Sequence, residues 1–195
     1  WVIFFSTALG QLYPGGDKYL HTSKLLLEKM YEYENMHIIV TDDESWEYYE
    51  EKTKYSDFNI ILPVLFNLYH GLELLMKGLI RLYGEVTDNN HNFDYLLRRL
   101  MCLDKEQDNL IDVLKKYIKT PIQIRFLEKY RRSQKISSIN SLYQSFRYPV
   151  ESTGKKAYNY FVIKYQEADL LPDLKEVIND IDIIIRGVVK RYHEL

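Results

Sequence analysis

The sequence contains a single cysteine, Cys102, among 195 residues, and this scarcity excludes several kinds of protein. One thiol cannot form an internal disulfide framework or a metal site built from several cysteines. A protein with so little cysteine suits a reducing compartment, so we expect it in the cytoplasm.

An excess of charge of one sign is also missing, because 26 Lys and Arg residues face 28 Asp and Glu residues. Affinity for nucleic acid or for an anionic membrane would therefore have to come from local patches. The sequence has neither a Gly-rich phosphate loop nor a Ser/His/Asp signature, and we predict no cofactor.

Long hydrophobic runs are absent near the start of the chain. The segment WVIFFSTALG offers only about ten apolar residues before Gln11, whereas a membrane span needs about 20. No basic residue precedes this segment, so we expect no signal peptide and no membrane association. Because residue 1 is not Met, we also expect the numbering to begin inside a longer gene product.

Helical spacing of apolar residues prevails almost throughout, which predicts an all-α fold. With 46% hydrophobic residues the chain can bury a substantial core, and no linker divides it. We therefore expect one domain over residues 1–195, a single up-and-down helical bundle.

The predicted helices and strands follow from the positions of Gly and Pro and from the spacing of apolar residues. A turn is predicted at residues 13–17, before a first helix that reaches about residue 33. The β-branched run at residues 37–40 is followed by an acidic segment at residues 42–51, and this region is either a loop that leads into a solvated helix or a short strand and turn. Residues 158–162 also suit a strand, and a short peripheral β-hairpin would then be present. Further helices are predicted at residues 58–83, 91–103, 109–119 and 121–132, and from about residue 172 to the end.

The helix at residues 58–83 carries its polar residues in one stripe. They recur at gaps of three or four residues, which confines them to about a third of the helix circumference. The rest of the helix is rich in leucine, so the stripe faces a cleft, a partner or solvent. The stripe consists of Asn67, His70, Glu73, Lys77 and Arg81.

The segment YHGLELLMKGLIRLYG, followed by HNFDYLLRRL and later by SFRYP, resembles the HEPN superfamily of small all-α domains. In that family a helix bearing Glu and Lys, a short helix led by His and a later segment containing Arg meet around a polar cleft. The resemblance covers residues 56–195. Together with the stripe it predicts a cleft lined by Asn67, His70, Glu73, Lys77, His91, Arg147 and Tyr148.

The resemblance implies a function that involves RNA or nucleotides. Many members of the family are metal-independent ribonucleases of toxin–antitoxin, antiphage or RNA-processing systems, and others are inactive partners of nucleotidyltransferases. It also implies a homodimer in which two clefts face each other. We therefore expect a bacterial defence or toxin–antitoxin domain that binds RNA or nucleotides, with a nucleotidyltransferase-type protein as a further partner.

The ribonuclease motif of the family, Arg followed after four to six residues by His, departs here from its pattern. No His follows Arg147 at that spacing. Arg186 and His193 have the right spacing, but Gly187 occupies the position where the family usually has a polar residue. We expect no ribonuclease activity, with Arg186 and His193 as the alternative catalytic pair.

Two other interpretations concern the cleft residues. His70, Glu73 and His91 have the residue types of a metal site but not the spacing of one, so we predict no metal. Arg147 is predicted either to bind a ligand or to form a buried hydrogen bond with Glu73 that fixes helix packing.

A basic segment, residues 115–135, is the main local argument for a polyanion. Tyr117, Phe126 and Tyr130 alternate with its cations, and such a surface contacts phosphates and stacks bases. A solvated helix face covered by the acidic segment at residues 42–51 is the ordinary alternative. A catalytically inert protein-interaction module therefore remains the second function. The cations are Lys115, Lys116, Lys119, Arg125, Lys129, Arg131, Arg132 and Lys135.

Overall fold

The computed structural model describes residues 9–36, 45–86, 90–104, 106, 109–151 and 153–194, without the side chains of residues 9–14. Within them the chain is an all-α helical bundle, as predicted, and these residues form no β-sheet. The strand option at residues 37–40 and the acids at residues 42–44 lie outside the described residues. The helices are α1 (Leu9–Glu32), α2 (Trp46–Thr53), α3 (Asp57–Leu82), α4 (Phe93–Leu103), α5 (Asn109–Ile118), α6 (Arg125–Ser133), α7 (Ile139–Arg147) and α8 (Leu171–Glu194).

Helix α3 is the centre of the bundle, and its leucine-rich surface explains why. Leu65, Leu68 and Leu72 are at most 1% exposed, and α1, α4, α7 and α8 all pack against this helix. Burial of these side chains is the main stabilising contribution to the fold. The long predicted helix at residues 58–83 is therefore confirmed as the core element.

The stretch that runs from α2 through α3 meets the length and composition of a membrane span. Within the described residues, Trp46–Leu82 is long and apolar enough to cross a membrane, but half of its most apolar window is buried inside the fold. A buried core helix has the same composition. The predictions of a cytoplasmic location and of no membrane association stay predictions.

The predicted turn at residues 13–17 is wrong, because α1 runs through it. Gly16 and Gly71 let α1 and α3 approach closely: a Cβ on Gly16 would lie 3.1 Å from the Gly71 carbonyl oxygen. A Cβ on Gly71 would lie 2.8 Å from Cγ of Leu20. At these positions glycine makes room for helix packing and does not form a turn. The tertiary contact therefore prevails over the local preference of glycine for turns, and the local sequence does not reveal this.

The predicted strand at residues 158–162 is also wrong. Tyr160–Val162 forms a short 3-10 helix, and the nearest β structure is one isolated antiparallel bridge between Val150 and Ala157. The helix predicted from Pro121 begins only at Arg125, after residues with no helical hydrogen bonding and a cis peptide bond between Thr120 and Pro121.

The remaining helix predictions agree with the structure to within a few residues. The apolar face of α4 is fully buried, since Phe93, Leu96, Leu97 and Leu100 are all 0% exposed. On α8, Val177, Ile184 and Val188 are at most 1% exposed, whereas Val189 is 37% exposed. These helices were predictable because each buries one clear stripe.

Candidate functional site

The middle of the α3 stripe forms a buried ion pair that is joined by a residue from outside the helix. Nζ of Lys77 and Nδ1 of His91 both lie 2.7 Å from Oε1 of Glu73. The Glu73 side chain is only 4% exposed, whereas the His91 ring is 70% exposed. Since a carboxylate oxygen only accepts, Nδ1 of His91 donates to it, and this leaves Nε2 towards solvent.

His91 is held at this place by the start of helix α7. The Asn140 amide nitrogen donates to the His91 carbonyl oxygen over 2.7 Å, and the amide oxygen of Asn140 accepts from the backbone N–H of Phe93 over 3.2 Å. The side chain of Asn92 caps α4 by accepting from the N–H of Tyr95. The sequence suggests the cap but not the contact with α7.

His70, one turn earlier on α3, lies among aromatic rings. Its Nδ1 is 2.8 Å from the Tyr143 hydroxyl, and its ring stacks on Phe66 and meets the edge of Tyr19. Burial lowers the pKa of His70, an effect that Glu73 opposes and Arg147 reinforces. Burial, and next the Glu73 carboxylate, raise the pKa of Tyr143 to about 12. Both side chains are therefore neutral near pH 7.

Arg147, at the end of α7, covers the outer side of this cluster. Its guanidinium carbon lies 5.6 Å from the ring centroid of Tyr143 and 5.3 Å from that of Tyr148. Arg147 and Tyr148 are both exposed. In the described part of the chain no carboxylate pairs with Arg147, whereas Arg125, Arg131 and Arg132 each have a carboxylate partner.

The structure brings Glu73, Lys77, His91, His70 and Arg147 to one face of the bundle, formed by α3, α4 and α7. We call this face the α3–α7 cleft. Arg147 makes no described hydrogen bond to Glu73, whose partners are Lys77 and His91. The predicted buried Arg147–Glu73 hydrogen bond is therefore wrong. The two ends of the stripe, Asn67 and Arg81, are half-buried.

The cations of the basic segment are mostly paired with carboxylates. Lys116 contacts Glu176 and Asp180, each at 2.9 Å, and Lys119 lies 2.6 Å from Asp94. The same holds for Lys115 with Asp112, Arg125 with Asp173, and Arg131 and Arg132 with Glu128. Among the described residues, Lys129 and Lys135 have no ion-pair partner.

The rings that alternate with these cations face inwards. Tyr117 and Tyr130 are 0% exposed and Phe126 is 3% exposed. They belong to the hydrophobic core, so the prediction that they stack bases is wrong. An amphipathic helix interleaves cations and aromatic residues in sequence while placing them on opposite faces. The partners that neutralise the cations come from α4, α5, α6 and α8.

The alternative catalytic pair lies apart from these residues on helix α8. Arg186 and His193 are both exposed, and no described hydrogen bond or ion pair joins either of them to the α3–α7 cleft. Gly187, between them, has a packing role, because a Cβ there would lie 2.9 Å from Cβ of Leu110.

Two residues of the α3–α7 cleft escaped the sequence analysis. Tyr143 precedes Arg147 by one helical turn, a spacing at which a guanidinium reaches a ring, and this signal is visible in the sequence. Asn140 carries no such signal. Within the described residues no three His, Cys, Asp or Glu side chains are grouped to hold a metal ion.

Comparison with protein-family models, with curated protein sequences and with solved structures finds no match.

Proposed function

We propose that the chain is an HEPN-like domain that binds RNA or nucleotides at the α3–α7 cleft, in a bacterial defence or toxin–antitoxin system, and that it does not cleave RNA. The observation that carries the proposal is Arg147, an exposed guanidinium beside two tyrosine rings and without a carboxylate partner in the described chain. A cation that no carboxylate neutralises is available to a phosphate.

The surroundings of Arg147 also suit a nucleotide. Tyr148 is 53% exposed and offers a ring on which a base can stack. His91 presents an unshared nitrogen, because its Nδ1 is occupied by Glu73. Neutral His70 and Tyr143 form a floor that offers polar atoms without negative charge.

The proposal that RNA is not cleaved rests on what these groups are already doing. Proton transfer to a phosphodiester requires an acid and a base that both reach the reacting oxygens. Nδ1 of His70 is bonded to Tyr143, its ring is packed among aromatic rings, and no His follows Arg147 at the family spacing.

The test is binding of a fluorescein-labelled single-stranded RNA, measured by fluorescence anisotropy at low salt. Arg147→Ala should weaken binding at least about tenfold, the effect of one lost charge-assisted contact. Arg132→Ala is the matched control: it also removes one exposed guanidinium, and Glu128 keeps Arg131 as its partner. Equal affinities for the two variants, or no binding by the parent, would overturn the proposal.

An inert protein-interaction module is the second candidate function, and a specific surface favours it. Trp46 is 67% exposed and lines a pocket of about 510 Å³ together with Tyr49 and Phe58. The Tyr165 ring lies 5.1 Å from Phe58 and 5.2 Å from Phe161, which is 66% exposed. Exposed aromatic residues of this kind are typical of protein interfaces.

The partner proposed for this aromatic surface is the nucleotidyltransferase-type protein that the family resemblance implies, and the homodimer is proposed for the α3–α7 cleft. Sedimentation of the purified chain tests the dimer.

Trp46→Ala should leave RNA binding and self-association unchanged and abolish co-purification with a nucleotidyltransferase encoded next to this chain. Loss of RNA binding in Trp46→Ala would contradict the separation of the two surfaces.

A further inference from the structure

An open pocket of about 440 Å³ lies beside the α3–α7 cleft and shares Tyr148 with the residues proposed to bind RNA or nucleotides. Its walls are Tyr148, Pro149, Val150 and Tyr158, with Gln144 at the polar edge. Ligand pockets are commonly 300–1,000 Å³, mostly apolar and equipped with a few polar groups, so both size and lining suit a small planar ligand.

The walls of the pocket are held in place by the backbone around it. The Val150–Ala157 bridge closes the turn between the two tyrosines, and the N–H of Tyr158 donates to the Pro149 carbonyl oxygen over 2.9 Å. The Tyr160 hydroxyl lies 2.6 Å from the Ser145 carbonyl oxygen and 3.2 Å from that of Tyr148. The site is thus largely formed before any ligand arrives, which lowers the entropic cost of binding.

Charge is distributed unevenly around the pocket. The Arg147 guanidinium lies 5.3 Å from the Tyr148 ring. At the other wall Nζ of Lys156 lies 5.9 Å from the centroid of the Tyr158 ring, but it already donates a hydrogen bond to the Gln134 carbonyl oxygen. An anionic group on the ligand would therefore lie towards Arg147.

The polar edge suits a heterocycle. The Gln144 side chain is exposed and has no hydrogen-bond partner among the described residues. An amide offers a donor and an acceptor side by side, the pattern that the edge of a nucleobase requires. Tyrosine walls supply the stacking that every base accepts.

We infer that this pocket binds the base of a nucleoside monophosphate unit, free or within an RNA strand, with its phosphate on Arg147. This inference rests on the proposed function, because it specifies the ligand of the same face. It adds residues that the cleft did not include, namely Gln144, Val150 and Tyr158.

The test uses AMP, adenosine and inorganic phosphate as probes of the purified chain, with binding measured by calorimetry. AMP should bind more tightly than either adenosine or phosphate, and Arg147→Ala should reduce the affinity for AMP to that for adenosine. Val150→Trp should fill the pocket from an exposed position and weaken AMP binding at least about tenfold. Phe161→Ala, which removes an exposed ring elsewhere, should leave AMP binding unchanged.

Folding and ligand source are separated by two further measurements. Val150→Trp should unfold at the same denaturant midpoint as the parent, and Tyr158→Ala provides a second, independent change of the pocket wall. A short single-stranded RNA distinguishes the sources: loss of its binding in Val150→Trp with only weak AMP binding assigns the pocket to RNA, and tight AMP binding assigns it to free nucleotides.

The failures are distinguishable. If binding of RNA or AMP depends on Arg147 but survives both Val150→Trp and Tyr158→Ala, the pocket is not the base site, and the proposed function still stands. Absence of binding to any of these probes by the parent would overturn both.

Discussion

Two surfaces of this protein carry cations, and they differ in what surrounds the charge. The basic segment at residues 115–135 holds eight Lys and Arg residues with a single acid between them in sequence. The α3–α7 cleft holds far fewer cations, yet its Arg147 has no carboxylate partner in the described chain. Most cations of the basic segment are paired with carboxylates from several helices.

The difference shows that a run of charge in sequence does not determine the potential at the surface. Carboxylates from α4 and α8 lie far away in sequence and adjacent in space, as in the pairs of Lys119 with Asp94 and of Lys116 with Asp180. An ion pair largely cancels the field that would attract a distant phosphate. A single unpaired guanidinium at a cleft is the stronger indication of an anion site.

The largest predicted effect concerns Glu128, which accepts from Arg131, Arg132 and the backbone N–H of Ile122. Reversing both arginines to glutamate should reduce the free energy of unfolding by about 3–5 kcal/mol, because it leaves a buried carboxylate without a cation. Urea unfolding measures this loss.

The matched control makes the same change of charge at Lys129 and Lys135, which have no ion-pair partner in the described chain. That double reversal should cost less than about 0.5 kcal/mol. Equal losses for the two double variants would mean that the basic segment is not held by Glu128. The arginine reversals are for the same reason a poor test of RNA binding.

Glu73 provides the corresponding prediction in the cleft. Glu73→Ala should reduce the free energy of unfolding by about 3 kcal/mol, since it strands Lys77, whose side chain is only 10% exposed. Glu85→Ala removes the partner of Arg99 from a pair whose side chains are 35% and 41% exposed, and it should cost less than about 1 kcal/mol. A smaller loss for Glu73→Ala than for Glu85→Ala would refute the burial argument.

Acid should weaken the pairs that Glu128 forms with Arg131 and Arg132. Hydrogen bonds from Arg131, and next from Arg132, lower the pKa of Glu128 from its ordinary 4.5 to about 2. A carboxylate with a lowered folded-state pKa stabilises the fold above pH 4.5, and this stabilisation is lost as the pH falls to about 2.

The difference in pKa corresponds to roughly 3 kcal/mol, and we expect about 2 kcal/mol because solvent around the exposed Arg132 screens the interaction. Glu128→Gln should therefore be less stable than the parent at pH 7, and the gap should close towards pH 2. A gap that is independent of pH would contradict the assignment.

The sequence predicted the structure correctly where a residue pattern is compatible with only one arrangement. The leucine-rich face of α3 and the apolar stripe of α4 require burial, and both are buried. It failed at Gly16, where glycine permits either a turn or a close helix contact, and only the position of Gly71 decides between them.

For the cleft, the stripe on α3 was visible, but the partners of its residues were not. Glu73 bonds to His91 because Asn140 of α7 holds the chain before α4, a contact between segments about 50 positions apart. Local patterns contain no information about such contacts. The exposure of Arg147 likewise follows only from the packing of α7 on α3.

The salt dependence of RNA binding discriminates directly between the two surfaces. If Arg147 and one neighbouring cation contact two phosphates, affinity should fall about sevenfold between 50 and 200 mM salt, a slope of about −1.4 for single strands. Seven phosphate contacts along the basic segment would give a slope of about −5 and a fall of about 900-fold. A steep slope that Lys129→Glu reduces would return the site to the basic segment.

The smallest expected effect is zero, for cleavage of RNA by the purified chain. General acid–base catalysis is typically worth 10²- to 10⁴-fold, and no His follows Arg147 to supply it at the family position. Glu151 stands near that position in the sequence, but a carboxylate beside a scissile phosphate would repel it.

Cleavage that disappears in His193→Ala would move the catalytic site to Arg186 and His193 on α8. Cleavage that survives His193→Ala but is lost in both Arg147→Ala and His91→Ala would show that His91, held by Glu73, supplies the missing group, and the cleft would then be an active site.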